Sequence, residues 1–145
     1  MTETFLPKGL PLPAPSPDGL DKAFWDGCNN HELVIQRCAD CGAYRHPPEV
    51  ICNKCLSFNS RWERVSGKGV IFTCINVVYP PHPALKERVP FNVVIVELPD
   101  APGVRMVGNV VDCTYEDIEI GMPVQVHFED HPEEGVILPL WKRAD

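Results

Sequence analysis

Four of the chain's seven cysteines form two Cys-x-x-Cys pairs, Cys38 with Cys41 and Cys52 with Cys55. Each pair turns a tight knuckle that aims two thiolates at one point. The ten residues between the pairs allow a short hairpin to bring the knuckles together. Four thiolates in tetrahedral array suit zinc, with Zn–S distances of about 2.3 Å. Gly42 directly follows the second thiolate, where a knuckle often needs a positive φ that glycine adopts freely. Sulfur ligands alone do not separate zinc from iron, so a rubredoxin-like iron centre is the nearer rival and a pair of disulfides the more distant one. A closed four-cysteine site offers no position to a substrate, so metal binding here assigns no catalysis.

The elements that must position those thiols are short. Asp18 is placed to cap a helix whose apolar stripe is Leu20, Ala23, Phe24 and Cys28, with Trp25 at the stripe's edge and Asn29-Asn30 as its stop. Leu33-Val34-Ile35-Gln36 reads as a strand entering the first knuckle and Ala43-Tyr44-Arg45 as its return, broken by Pro47-Pro48. A helix and a ribbon bury little surface, so the metal is expected to supply much of their folding free energy. Ahead of them, residues 1–17 carry prolines at 7, 11, 13, 15 and 17. This leader cannot be helical and is either disordered or an arm that lies on a partner.

From Trp62 onward the pattern changes to strands. Gly67 and Gly69 precede a long run from Ile71 to Val78, as suits a sharply coiled strand in a small barrel. Phe91 to Leu98, Val104 to Val111, the alternating Val124-Val126-Phe128, and Val136 to Trp141 supply four more strands. Thr114 with Asp117 resembles a capping box for a helical turn between the third and fourth strands, closed by Gly121. Five strands in that order make a mainly β chain: a leader (1–17), a helix and metal ribbon (18–61), and a five-stranded OB-fold barrel (62–145).

Composition narrows the setting. The 145 residues carry a net charge of −7, and from residue 66 on there are six Lys or Arg against twelve Asp or Glu. That balance argues against a phosphate backbone as partner. The apolar runs are too short for a membrane span, no signal peptide is expected, and the chain reads as cytoplasmic with reduced thiols. Cys28, Cys74 and Cys113 read as small buried residues rather than nucleophiles. The five histidines do not pair at ligand spacing, and neither a nucleophile elbow nor a Gly-rich phosphate loop is present.

The ordered combination is more specific than any of its parts. A short amphipathic helix, Leu33-Val34-Ile35-Gln36-Arg37-Cys38-x-x-Cys41-Gly42, Pro47-Pro48, the second Cys-x-x-Cys, and Trp62-Glu63-x-Val65-Ser66-Gly67-x-Gly69 closely resembles the DUF35 family. Val89-Pro90-Phe91, Val96-Glu97-Leu98 and Gly121-Met122-Pro123-Val124 extend the resemblance over residues 18–142. It implies an OB-fold with an N-terminal rubredoxin-like zinc ribbon and one structural zinc. It also implies a hetero-oligomer with a thiolase-superfamily enzyme, either a lipid-transfer-type thiolase or a side-chain aldolase, in which the chain binds acyl-CoA without catalysing alone.

Under that reading Lys68, Lys86 and Arg88 are candidates for the phosphates of CoA. Phe24, Trp25, Tyr79 and His82 are candidates for the partner contact, since Trp and Tyr dominate many interfaces and the Tyr79-Pro80-Pro81-His82-Pro83 loop is stiff. The plainer alternative for Trp25 is packing on the ribbon. Two readings of other classes remain, a single-stranded nucleic-acid OB module and a rubredoxin-like electron carrier.

Overall fold

The computed structural model describes residues 3–145. Helix α1 (Lys22–Asn29) starts later than the sequence suggests, because a turn from Ser16 to Gly19 takes up the chain around Asp18 (Gly19 N–H to the Ser16 carbonyl, 3.1 Å). Asp21 is the N-cap residue, and its carboxylate accepts the Trp25 indole N–H at 2.9 Å. Leu20 falls outside the helix and is exposed, while Phe24 and Cys28 are buried. The helix ends at Asn29 with Asn30 as its C-cap, and His31 takes a left-handed φ of 56°.

Three strands form the ribbon in the order β2-β1-β3: β1 (Val34–Cys38), β2 (Tyr44–Arg45) and β3 (Ser60–Arg64). β3 was not foreseen, because Ser-Arg-Trp-Glu-Arg has no apolar alternation. Polar contacts hold it instead. Glu63 accepts from Arg61 Nε at 2.8 Å, the Tyr44 hydroxyl at 2.8 Å and Arg37 at 3.0 Å. Those donors, Arg61 and Tyr44 foremost, hold its carboxyl down at about 2. Buried Gln36 gives and takes hydrogen bonds with the Glu49 backbone at 3.0 and 2.9 Å, tying the loop between the knuckles to β1.

Five strands form the barrel in the order β6-β5-β4-β7-β8. They are β4 (Lys68–Val77), β5 (Phe91–Glu97), β6 (Arg105–Gly108), β7 (Pro123–His131) and β8 (Val136–Arg143). A parallel bridge between Val110 and Trp141 closes it. The Asn92 side chain reinforces the closure by pairing with both backbone groups of Val110 at 2.7 and 2.9 Å. The expected helical element between third and fourth strands is a 3-10 turn, Tyr115–Asp117, with the Thr114 N–H on the Asp117 carboxylate at 3.3 Å.

Trp141 is fully buried, and two glycines make room for it. A Cβ on Gly69 would lie 2.3 Å from Val96 and 3.1 Å from the Trp141 ring, and one on Gly108 2.8 Å from that ring. Phe24, Cys28, Leu33 and Ile35 join Val94, Val96 and Trp141 in one apolar cluster, so ribbon, helix and barrel share a core. No helix among the described residues is long and apolar enough to cross a membrane.

The proline-rich leader, whose first two residues lie outside the described ones, rests on the chain's own barrel. The Glu129 carboxylate accepts the Phe5 and Leu6 N–H groups at 2.7 and 3.2 Å. Arg88 donates to the Thr4 and Phe5 carbonyls at 3.0 and 2.8 Å and pairs with Glu3 at 2.7 Å.

Two outcomes check this arrangement. Gly69→Ala should destabilise the barrel by about 1–3 kcal/mol through overpacking, read as a lower melting temperature. Melting at the wild-type temperature would mean that the Gly69–Trp141 contact is not tight. Glu129→Ala should release the leader, so that trypsin cuts after exposed Lys8 several-fold faster while the barrel stays resistant. Unchanged cleavage would show that the carboxylate does not hold the leader.

Candidate metal centre and apolar cavity

The two knuckles repeat one backbone pattern. The Cys38 N–H donates to Ala43 at 2.8 Å and the Gly42 N–H returns to the Cys38 carbonyl at 3.1 Å. In the second knuckle the Cys52 N–H donates to Ser57 at 2.9 Å and the Leu56 N–H returns to Cys52 at 2.9 Å. Gly42 has the expected positive φ, 79°. Leu56 takes φ 64° at the equivalent position, where the geometry needs the same turn and the sequence supplies no glycine.

All four sulfurs lie within 4.8 Å of one another, with Cys38–Cys55 and Cys41–Cys52 each at 3.6 Å. A tetrahedron with 2.3 Å metal–sulfur bonds has edges of about 3.8 Å, so the set fits a tetrahedral ion. The Cys41 N–H points at Cys38 Sγ and lowers that thiol to about 6, and the Cys55 and Lys54 N–H groups lower Cys52. At Cys55 the Ser57 N–H pulls downward, but desolvation and the three neighbouring sulfurs outweigh it and push the thiol up to about 12. A cation is what lets the fourth thiol ionise beside the others.

An apolar cavity of about 650 Å³ is lined by β5, β6 and β8 of the barrel, by Phe24 and Trp25 of α1 and by the leader. Phe5, Leu6 and Leu10 of the leader form one wall, and Phe91, Val93, Leu138 and Leu140 of the barrel the other. Trp25 and His46, each packed on Phe24, also line it. His46 packs on the Phe24 ring at 5.0 Å; its Nδ1 is buried with no hydrogen-bond partner, and burial holds the imidazole below its usual pKa. Cys113 also lines the cavity, and burial followed by Asp112 pushes its thiol up, against a nucleophilic role. Burial drives Cys28 up to about 12.

The structure separates the three cations expected to meet CoA. Lys68 begins β4, whereas Lys86 and Arg88 lie in the loop beyond its far end, some 30 Å along the strand at about 3.3 Å per residue. Lys86 is exposed, and the Arg88 guanidinium is engaged by the leader.

Of the four residues expected at a partner contact, Phe24 is 5% exposed and packs into the chain's own core. Trp25 is half-buried beside it, ring to ring at 5.2 Å. His82 Nδ1 accepts the Ala84 N–H at 3.0 Å, capping the 3-10 turn Pro83–Leu85. Tyr79 is 82% exposed.

Sequence reasoning missed a row of apolar side chains on the outer face of β4, β5 and β6. Ile75 pairs with Val93, and Thr73, Ile95 and Val107 stand side by side. Ile75 is 58% and Val107 69% exposed. The signal was present in β5, whose run Val93-Val94-Ile95-Val96 is apolar on both faces, whereas a strand with one face in water alternates.

Fold and site together define an OB-fold barrel carrying a rubredoxin-like metal ribbon. Residues 25–61 match the ChsH2 rubredoxin-like zinc ribbon domain and residues 62–129 the ChsH2 C-terminal OB-fold domain. A DUF35 domain-containing scaffold protein of Methanocaldococcus jannaschii is 36% identical over 104 residues, covering 71% of this chain and 72% of that protein. The chain belongs to the DUF35 family. It superposes on a solved chain from an Ltp2-ChsH2(DUF35) aldolase with a TM-score of 0.78 and 35% identity, covering 92% of this chain and 100% of that one. It is also 40% identical over 126 residues to a probable enoyl-CoA hydratase alpha subunit of Thermomonospora curvata, covering 86% of this chain. The chain spans only 38% of that subunit's length.

Metal analysis of the purified chain should find about one equivalent, and Cys52→Ser should remove it and destabilise the ribbon. Because Cys55 is protonated at neutral pH without metal, binding releases a proton, and apparent affinity should rise with pH. A metal-free wild type, or affinity independent of pH from 6 to 8, would contradict the four-thiolate site.

Proposed function

We propose that this chain is a non-catalytic accessory subunit that docks on a thiolase-superfamily enzyme, a lipid-transfer-type thiolase or a side-chain aldolase. There it supports acyl-CoA binding or transfer in lipid, steroid or related metabolism. The observation that carries the reading is the apolar outer face of β4–β5–β6, a surface of the kind that marks a protein contact. The similarity to a chain solved in an Ltp2-ChsH2(DUF35) aldolase supports an enzyme as the occupant, and the scaffold relatives support a role without chemistry of its own. Tyr79, exposed just past the end of β4, is a further contact, with Trp25 and His82 as lesser ones. The metal is a structural zinc, and Lys86, with Lys68 and Arg88 as weaker candidates, meets the phosphates of CoA.

The test is co-expression with a thiolase-like partner, followed by gel filtration and an acyl-CoA turnover assay. The two chains should co-elute, and the isolated subunit should show no turnover. Ile75→Glu should leave the melting temperature nearly unchanged, since the position is exposed, and weaken co-elution at least tenfold by placing a charge in the contact. Trp25→Ala should weaken it less. Wild-type co-elution by a folded Ile75→Glu chain would remove this face from the contact. Turnover by the chain alone would end the accessory reading.

A further inference from the structure

We infer that the cavity beneath the leader is a binding site for an uncharged apolar body, the acyl or fused-ring part of a thioester rather than its nucleotide. This rests on the acyl-CoA reading above and deepens it. A cavity of 650 Å³ has room for about twenty water-sized groups. It is in the size range of small-molecule sites, and its walls offer water little to hydrogen-bond. The leader is a wall of it and not its filling, because the volume remains with Phe5, Leu6 and Leu10 in place.

Arg88 is the one residue of permanent charge among the lining residues, and its guanidinium is taken up by Thr4, Phe5 and Glu3. Nothing in the wall is arranged to receive a phosphate. His46 belongs to the wall, and its Nδ1 is buried away from the cavity space without a hydrogen-bond partner. Val93 and Val107 belong both to the cavity wall and to the apolar outer face, so the cavity opens onto the surface assigned to the partner.

The experiment titrates the isolated full chain with cis-parinaric acid, a fluorescent fatty acid. Dodecanoyl-CoA, a neutral steroid ketone and free CoA then compete for the site. Displacement by dodecanoyl-CoA or by the steroid, with free CoA at least tenfold weaker, is expected, and the stronger competitor tells chain from ring. Val93→Trp, which fills the cavity from an exposed strand face, should weaken binding at least tenfold.

Free CoA competing as well as dodecanoyl-CoA would overturn the assignment, as would a Val93→Trp chain that melts like wild type and binds the probe equally. Absence of saturable binding to the wild type would overturn it too. The competition by free CoA and the saturable binding are read on the wild-type chain, whose co-elution with a partner they leave untouched, so a failure there is distinguishable from failure of the accessory reading.

Discussion

Four sulfurs within 4.8 Å of one another cannot all be ionised unless a cation sits among them, and the ribbon depends on that constraint. Protonated, the set is a crowd of weak donors at the tip of a sheet whose return strand has only two residues. Metallated, it locks both ends of the segment from Gly42 to Ile51, since that segment runs from one ligand pair to the other. His46 lies in the middle of it and lines the apolar cavity. The ion thus reaches the cavity through the chain it tethers, with no ligand position of its own to offer a substrate.

The barrel solves a different problem. A five-stranded sheet must coil tightly to close, and the indole of Trp141 fills the interior only because Gly69 and Gly108 remove the side chains that would meet it. With the inside filled by Val94, Val96, Val124 and Trp141, the cavity has to lie outside the barrel, where Leu138 and Leu140 look toward α1 and the leader. The same outward orientation puts Val93 and Val107 at its mouth. Apolar residues on both faces of β5 therefore serve two surfaces, an inner core and an outer contact.

Much of this was legible in the residues. The metal ligands, Gly42, β1 and β2, the five barrel strands and the turn after Thr114 follow from spacing, periodicity and turn chemistry. What was not legible depended on contacts distant in sequence. β3 has no apolar pattern and is a strand because β1 offers it a ladder and Glu63 finds three donors. Asp18 has the right chemistry for a cap, but the chain turns before it can serve, and Asp21 starts the helix. The leader's prolines exclude helix without saying where it lies. Its place is set by Glu129, more than a hundred residues away. Lys68, Lys86 and Arg88 are alike in type, and only the length of β4 shows that they do not converge.

That separation bears on how a thioester would be shared between this chain and an enzyme. CoA carries its negative charge on the nucleotide, and this chain has a net charge of −7. Screening over about 8 Å at physiological salt makes local cations matter more than that total. Of the three candidate cations, Arg88 is occupied by the leader and Lys68 stands at the opposite end of β4, leaving Lys86 as the exposed one. One lysine is a weak hold on a polyanion, whereas the apolar wall beneath the leader is extensive. On the accessory reading, the enzyme then supplies most of the attraction for the nucleotide and this chain receives the acyl body, which loses more by staying in water. Such a division favours docking when the thioester bridges both chains, because neither surface alone satisfies both halves of the molecule.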